Sequence, residues 1–572
     1  MKKSVWQARA VSTVTGRSAP TTRCSGADLV VACLAAEGVD VVAGVPGTTV
    51  MEVIDAIARH DTVRYLATRH EQVAGFLADG LSRGGGLGAC LVSRGPGAAN
   101  AAIAVQNAYD ESVPMLLLVG QVADRIVERR AFEEADVVAT FRPMSKWAVE
   151  VRRADRIPEL LQRAVRTAVT GRPGPVVVSL PLDVLQDTVE GVAPARRWRA
   201  HPPAPDPDGV AAAAAVIADA ERPVVVVGGG AAGAPGAMTA LADRVGAPIV
   251  TTWLRQGAVS HDHPGFLGSL GYGVHDVTWQ AASEADVVVA LGCRFSEFST
   301  RRWTLLADDV RLVHVDVDPV ELGRVYVPEV GLVADAATTA RALTAALPPP
   351  PSGRLDRRKR LRVEYEQASS PDSPVLDADD PRGGVSSRAA VAALQPLTTR
   401  DDVRLVQDAP SFGPWTHRYL RLPEPGRFHG SAGGAMAWGL PAAMGLTLAD
   451  PARRAVCVSG DGSFWMVAQD LETCVREGLP VINVVMNNNA YGNTRDRQRL
   501  AHGERYLGVF YGNADLAAFA RSLGGFGVRV ERDEELAPAL GAALAQDLPA
   551  VVDVIQDPMY GLPPGLVPPA AR

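Results

Sequence analysis

The stretch that decides the fold is 455–463, AVCVSGDGS, an apolar strand-like run that ends in Gly460, Asp461, Gly462 and Ser463. A second apolar run, VINVVM at 481–486, ends in three asparagines at 487–489. Short apolar strands that alternate with helices predict a parallel sheet covered on both faces. Ligands of such sheets bind at the carboxyl ends of the strands, so we expect both polar clusters to face one site.

The two clusters carry the groups that a metal–diphosphate site needs. Asp461 offers a carboxylate and Asn488 an amide oxygen, which suit Mg²⁺ held together with phosphates. Gly460 and Gly462 let the backbone approach a phosphate, and a helix beginning there favours negative charge. Alternatively, the first cluster is an ordinary turn and the second an ordinary loop. Their occurrence together on matched strand ends favours the metal–diphosphate interpretation.

The same alternation of strands and helices occurs three times along the 572 residues, with proline-rich stretches between. It predicts three doubly wound α/β domains. The predicted boundaries are a flexible tail at 1–22, a first domain at 23–190, a central domain at 206–347, a linker at 348–381 and a third domain at 382–562.

Composition narrows the class of protein. A net charge of −7 gives no sign of the basic surface with which proteins bind nucleic acid. No run reaches the roughly 20 apolar residues of a membrane span, and the amino terminus lacks the apolar core of a secretory signal. The six cysteines are scattered without a CxxC pair, which indicates free thiols in a reducing compartment. We therefore expect a cytoplasmic protein without a nucleic-acid or membrane partner, while the composition says little about small-molecule substrates.

Beyond the two clusters, the chain resembles the acetolactate synthase/pyruvate oxidase branch of the thiamine-diphosphate-dependent enzymes. The segments that carry the resemblance are GVPGTTVMEVIDAI (44–57), RHEQVAGFLADG (69–80), SRGPGAANA (93–101), PMLLLVGQV (114–122), HVDVDP (314–319) and AMAWGLPAAMG (435–445). The resemblance implies that the three domains are a pyrimidine-binding, a central and a diphosphate-binding domain. It also implies thiamine diphosphate and Mg²⁺ as cofactors.

The resemblance assigns roles to individual residues. Glu71 matches the carboxylate that activates the aminopyrimidine ring, and Met436 matches the residue between the two cofactor rings. Gln121 and Lys146 match positions in the channel from cofactor to substrate. Asp461, Asn488 and the backbone oxygen of Ala490 match the metal ligands. The remaining matched cofactor contacts are Pro46, Asn100, Ala409, Phe412, Gly434, Gly460, Gly462 and Ser463. The resembled enzymes place this site between subunits, so a homodimer or homotetramer is expected.

Two departures from the resembled enzymes and one glycine run leave alternatives open. Phe298 stands where acetolactate synthases have an acceptor-binding arginine, and Arg497 stands where they have a tryptophan. Loss of a bidentate arginine is not conservative. We therefore expect a carboligase other than the housekeeping acetolactate synthase, with a simple 2-oxo acid decarboxylase or a C–C lyase as alternatives. The run 228–233, GGGAAG, fits the GxGxxG dinucleotide fingerprint, so an NAD-dependent dehydrogenase is a remote alternative. The central domain of the resembled enzymes holds FAD or nothing, and both remain open.

Overall fold

The computed structural model describes residues 23–194, 197, 199–371, 383–512, 514–559, 561–563 and 566. The predicted tail at 1–22 lies outside them. The prediction of three doubly wound α/β domains is confirmed, because the described chain forms three six-stranded sheets in which every neighbouring pair of strands is parallel.

The first domain is built on a sheet of apolar strands that are buried on both faces, as parallel sheets require. Its strands are β1 (Cys24–Ser25), β2 (Val41–Gly44), β3 (Arg64–Ala67), β4 (Gly88–Ser93), β5 (Met115–Gln121), β6 (Trp147–Glu150), β7 (Pro175–Pro181) and β8 (Thr188–Val189). The sheet order is β3-β2-β4-β5-β7-β6, while β1 and β8 pair separately and antiparallel. The helices are α1 (Gly26–Glu37), α2 (Met51–Ala58), α3 (Glu71–Arg83), α4 (Arg94–Glu111), α5 (Val137–Phe141), α6 (Ile157–Val169) and α7 (Leu182–Gln186).

The central domain has its own apolar core between its sheet and its helices. The strands are β9 (Val224–Val227), β10 (Ile249–Thr251), β11 (Phe266–Ser269), β12 (Val287–Leu291), β13 (Arg311–Asp316) and β14 (Val330–Val333), in the order β11-β10-β9-β12-β13-β14. The helices are α8 (Pro207–Ala218), α9 (Pro235–Val245), α10 (Asp276–Ser283), α11 (Ala336–Ala346) and α12 (Ser352–Ala368).

Helix α12 lies within the stretch 348–381 that the sequence predicted as a linker. It packs on the central domain, where Tyr365 joins the apolar core. Arg354 and Arg362 are buried and donate to backbone carbonyls, including that of Ala218 at 2.8 Å and that of Phe266 at 2.7 Å. The linker prediction missed this helix because its charged sequence shows no apolar face. The charged side chains of Arg354 and Arg362 are stabilised by backbone carbonyl oxygens that come close only when the chain folds.

The third domain repeats the architecture. The strands are β15 (Val403–Gln407), β16 (Phe428–Gly430), β17 (Arg454–Gly460), β18 (Ile482–Asn487), β19 (Phe526–Val530) and β20 (Ala550–Ile555), in the order β16-β15-β17-β18-β20-β19. The helices are α13 (Ser387–Leu394), α14 (Gly413–Tyr419), α15 (Gly439–Ala449), α16 (Asp461–Trp465), α17 (Leu471–Glu477), α18 (Gly492–Ala501), α19 (Leu516–Ser522) and α20 (Asp533–Leu544).

The first and third domains share one apolar core, which places their helices α3 and α15 in direct contact. A Cβ atom at Gly80 would lie 2.3 Å from the carbonyl oxygen of Ala442. One at Gly445 would lie 2.2 Å from that of Leu77. Both glycines are therefore required for the two helix backbones to approach this closely. No helix in the described part of the chain is long and apolar enough to cross a membrane.

Candidate active site

The carboxyl edge of the third sheet collects the polar groups that the sequence singled out. Gly460 ends β17, Asp461 begins α16, and Asn488 follows β18, which is the neighbour of β17. Asp461 is 2 % exposed, and its Oδ2 atom makes no hydrogen bond to any described residue. Burial raises the pKa of Asp461 to about 6. An uncompensated buried carboxylate is unfavourable, so this edge suits a bound cation.

The loop after β18 presents its groups to the same edge. The amide of Asn488 donates to the hydroxyl of Ser411 at 3.3 Å, and its Oδ1 accepts from the backbone of Ala490 at 3.2 Å. Asn489 has a φ of +53°, the left-handed conformation that asparagine tolerates best after glycine. The turn at Asn489 brings the buried residue Ala490 back beside Asn488. Asp461, Asn488 and Ala490 thus all follow the carboxyl ends of the neighbouring strands β17 and β18.

The strand next to β17, β15, adds a carboxylate that the sequence analysis did not select. Asp408 follows β15 and accepts hydrogen bonds from the backbone of Ala409 at 2.8 Å and of Gly439 at 3.2 Å. Burial raises its pKa to about 6. The signal was available, since Asp408 ends an apolar strand as Asp461 does. Phe412 is 1 % exposed, and its side chain belongs to the apolar core of the third domain.

The segment between β16 and α15 carries Gly434 and Met436. Gly434 has a φ of +76° and is exposed, and Ala437 has a φ of +71°. Met436 is half-buried between these two left-handed residues. The segment is anchored at its end by Trp438, whose indole donates to the carboxylate of Asp79 in the first domain at 2.9 Å. The backbone turns therefore hold Met436 partly in the open, which is unlike an ordinary core methionine.

The carboxyl edge of the first sheet holds the third group of predicted residues. Pro46 follows β2, Glu71 begins α3 after β3, and Asn100 lies on α4 after β4. The side-chain amide of Asn100 donates to Glu71 Oε2 at 2.9 Å. Two residues before Glu71, the backbone of Arg69 donates to Asp470 of the third domain at 2.8 Å. Asp470 is not among the residues predicted from the sequence, because no local motif marks it.

The two predicted channel residues occupy different positions. Gln121 ends β5 at the same edge as Glu71, but it is 3 % exposed, and its amide donates to the carbonyl of Ala135 at 2.7 Å. Lys146 precedes β6 and therefore lies at the opposite, amino edge of the sheet. Its ammonium donates to the carbonyl of Thr170 at 2.7 Å, and burial lowers its pKa. Within this chain the structure does not bring Lys146 to the carboxyl edge.

A cleft of about 1670 Å³ separates the central domain from the other two. The glycine run forms part of its wall, and a Cβ at Gly228 would lie 2.0 Å from the carbonyl oxygen of Gly292. Arg294 enters the cleft with no ion pair or hydrogen bond to any described residue. His314 and Tyr326 also line it, and each has a buried polar atom without a partner. Such a cleft fits an anionic, nucleotide-sized ligand.

Comparison with known proteins identifies the family to which the three domains belong. Residues 24–140, 210–343 and 408–554 match the N-terminal TPP binding domain, the central domain and the C-terminal TPP binding domain of the thiamine pyrophosphate enzymes. The chain belongs to the thiamine-diphosphate-dependent enzymes. The match at 210–343 includes the glycine run, so this run lies within the central domain of these enzymes.

The full-length relatives place this thiamine-diphosphate enzyme in the acetolactate synthase-like branch. The chain is 32 % identical to the probable acetolactate synthase large subunit of Methanocaldococcus jannaschii over 96 % of this chain and 94 % of that protein. It is equally 32 % identical to the acetolactate synthase isozyme 1 large subunit of Escherichia coli, over 97 % and 98 %. The acetolactate synthase of Mycobacterium bovis is 32 % identical over 93 % and 88 %.

The residues of this thiamine-diphosphate enzyme fit its cofactor. Two buried polar atoms at the carboxyl edge of the third sheet, Asp461 Oδ2 and Ser463 Oγ, have no protein partner among the described residues. A cation with a bound diphosphate would supply one to each. The first sheet offers a carboxylate, Glu71, whose orientation is fixed by Asn100.

Proposed function

We propose that the enzyme decarboxylates a 2-oxo acid and transfers the acyl group to a carbonyl acceptor. The similar proteins are named acetolactate synthases, which supports a carboligase. The observation that carries the proposal is the pairing of Glu71 with Asn100 at the carboxyl edge of the first sheet. A domain that only bound the cofactor through its diphosphate would not need an oriented carboxylate there.

In this proposal each cluster has one task. Thiamine diphosphate, when bound, stabilises the negative charge left on the acyl carbon after carbon dioxide departs. Glu71 holds a proton at the aminopyrimidine ring, and Asn100 keeps its carboxylate oriented. Met436 and the exposed turn at Gly434 would contact the bound cofactor and orient it for the reaction. Asp461, Asn488 and the backbone oxygen of Ala490 would hold Mg²⁺ together with the diphosphate.

The acceptor differs from that of a housekeeping acetolactate synthase. Phe298 stacks on Trp253, with ring centroids 5.8 Å apart and planes at 16°, so an aromatic surface stands where those enzymes have an arginine. Arg497 lies on the exposed face of α18, whereas Arg495 and Arg499 of the same helix pair with Asp496. Arg497 has no partner among the described residues and is available to an anionic acceptor.

The central cleft is proposed to hold FAD. Its volume and the unpaired Arg294 support a dinucleotide whose diphosphate receives the guanidinium. Absorbance between 350 and 450 nm after purification tests this cofactor directly. Retention of yellow colour by the wild-type protein and its loss in Arg294→Leu would support FAD, and a colourless wild-type protein that does not take up added FAD would contradict it.

A homodimer is proposed as the smallest active unit. Glu71 bonds only to Asn100 among the hydrogen bonds found, and Asp461 lies in another domain with an unpartnered oxygen. The resemblance to the thiamine-diphosphate-dependent enzymes implies that these two edges meet between subunits. Mixing two inactive variants, Glu71→Gln and Asp461→Asn, tests the arrangement: recovery of activity in mixed dimers would support a shared site, and no recovery would contradict it.

The reaction is tested by anaerobic incubation with thiamine diphosphate, Mg²⁺ and a panel of 2-oxo acids while carbon dioxide is measured. Release that requires both cofactors and rises with one added carbonyl acceptor would support the carboligase. Release that is independent of every acceptor and yields an aldehyde would identify a simple decarboxylase instead. Consumption of no 2-oxo acid by cofactor-loaded protein would contradict the proposal.

A further inference from the structure

The loop at 487–490, which carries the proposed metal ligand Asn488, pairs through its backbone with a later segment of the chain at 509–511. Ala490 and Phe510 form an antiparallel bridge, and the backbone of Tyr491 donates to the carbonyl of Val509 at 2.9 Å. The backbone of Tyr511 in turn donates to the carbonyl of Asn489 at 3.2 Å. The position of Tyr511 is therefore tied to the loop that carries Asn488.

The same contact places two aromatic rings over Gly462. A Cβ at Gly462 would lie 3.1 Å from the hydroxyl oxygen of Tyr511 and 2.9 Å from a ring carbon of Tyr491. The two rings pack edge to face, with centroids 5.2 Å apart. Because residue 462 is a glycine, there is space beside it for the Tyr511 hydroxyl, next to Asp461.

Two buried polar atoms beside Gly462 have no hydrogen-bond partner within the described part of the chain. The hydroxyl of Tyr511 and the Oδ2 atom of Asp461 both lack a partner among the described residues. A tyrosine hydroxyl is protonated at neutral pH, so it can serve this carboxylate only as a hydrogen-bond donor. Leaving both atoms unpaired is costly, which indicates that they pair once the site is filled.

We propose that Tyr511 is a positioning residue for the metal: its hydroxyl donates to the Asp461 carboxylate and fixes the oxygen that faces the cation. The inference rests on the proposed function, since it assigns the metal to Asp461. Carboxylates that bind metals are themselves held by hydrogen bonds, and loss of such a partner typically lowers metal affinity about 10–100-fold.

The test compares Tyr511→Phe with Tyr491→Phe, which removes the hydroxyl of the other tyrosine in the pair. Equilibrium dialysis or calorimetry measures two dissociation constants: that of Mg²⁺ at saturating thiamine diphosphate, and that of thiamine diphosphate at saturating Mg²⁺. For Tyr511→Phe we expect the Mg²⁺ constant to rise about tenfold or more. The thiamine diphosphate constant at saturating Mg²⁺ should stay at the wild-type value. Tyr491→Phe should change neither.

Three other outcomes would each overturn the inference. Wild-type Mg²⁺ affinity in Tyr511→Phe would show that the hydroxyl does not act on the metal. Weaker thiamine diphosphate binding that persists at saturating Mg²⁺ would show a direct contact with the diphosphate. A further loss of Mg²⁺ affinity when Tyr511→Phe is added to Asp461→Asn would show that Tyr511 does not act through Asp461. A wild-type protein that binds neither ligand would instead refute the proposed function itself.

Discussion

The side-chain amide of Asn100 donates a 2.9 Å hydrogen bond to the carboxylate of Glu71, joining helix α4 to the first residue of α3. Glu71 has no other side-chain hydrogen bond among the contacts found. The orientation of the Glu71 carboxylate therefore depends on Asn100, so mutation of either residue tests the role of the pair.

Replacement of Glu71 by glutamine should lower the rate of carbon dioxide release about 10²-fold or more, because an amide cannot take part in the proton transfer. Thiamine diphosphate affinity should change far less. Single-turnover release and cofactor dialysis separate the two effects. Full turnover by the variant would refute the role of Glu71.

Replacement of Asn100 by alanine should lower the same rate by roughly 10–100-fold, since a hydrogen bond to a charged group contributes about 1.5–3 kcal/mol. Gln106→Ala is the matched control, because Gln106 lies exposed on the same helix and bonds only to Asp110 at 2.9 Å. Equal losses of rate in both variants would show that the effect comes from a general disturbance of helix α4 and not from the hydrogen bond to Glu71.

Exchange of Phe298 for arginine should raise turnover with a 2-oxo acid as acceptor relative to an aldehyde, because a guanidinium binds a carboxylate and an aromatic ring does not. Product ratios in competition assays measure the change. Glu297→Arg adds a cation at the exposed neighbouring position as a control. Unchanged ratios in Phe298→Arg would place the acceptor elsewhere.

Replacement of Arg83 by methionine should destabilise the protein by about 3–5 kcal/mol, because the buried Asp79 loses its ion pair and Glu111 keeps only its pair with Arg255. Arg83 contacts Asp79 at 2.6 Å and Glu111 at 3.1 Å, and its guanidinium donates to the carbonyl of Gly430 in the third domain. Burial opposes ionisation of Glu111, but Arg255 and Arg83 lower its pKa to about 2. Thermal unfolding measures the loss.

The control for Arg83 is Arg59→Met, which removes an exposed ion pair with Asp28 and should shift the melting temperature little. A similar shift in both variants would mean that the buried network contributes no more than a surface pair.

Replacement of Asp408 by asparagine should flatten the pH dependence of stability of the cofactor-free protein. Burial raises the pKa of Asp408 to about 6, above the usual value of about 3.9 for an unfolded chain. Between these pH values the folded state binds more protons, so wild-type stability falls as pH rises from about 4 to 6. Melting temperatures across that range, compared between the two proteins, measure the difference. An equally steep fall in the variant would contradict this assignment.

Much of the site could be predicted from sequence because parallel α/β sheets place ligands at the carboxyl ends of their strands. Asp461 and Asn488 end apolar runs, and the structure puts them at the carboxyl ends of neighbouring strands β17 and β18. Asp408 obeys the same rule and was overlooked, although its strand also ends in a carboxylate. Strand ends are local features, so the sequence alone can show them.

Other features depended on contacts between distant parts of the chain. Helix α12 was predicted as linker because Arg354 and Arg362 find their acceptors only on the central domain. Tyr511 lies 50 positions after Asp461, in a stretch without a motif, and reaches the site through backbone pairing with the metal loop. The sequence by itself determined the fold class, the family and the strand-end ligands, since periodicity and short motifs encode them. Only the tertiary structure decided which buried polar atoms lack partners, because burial and pairing depend on how separate segments pack together.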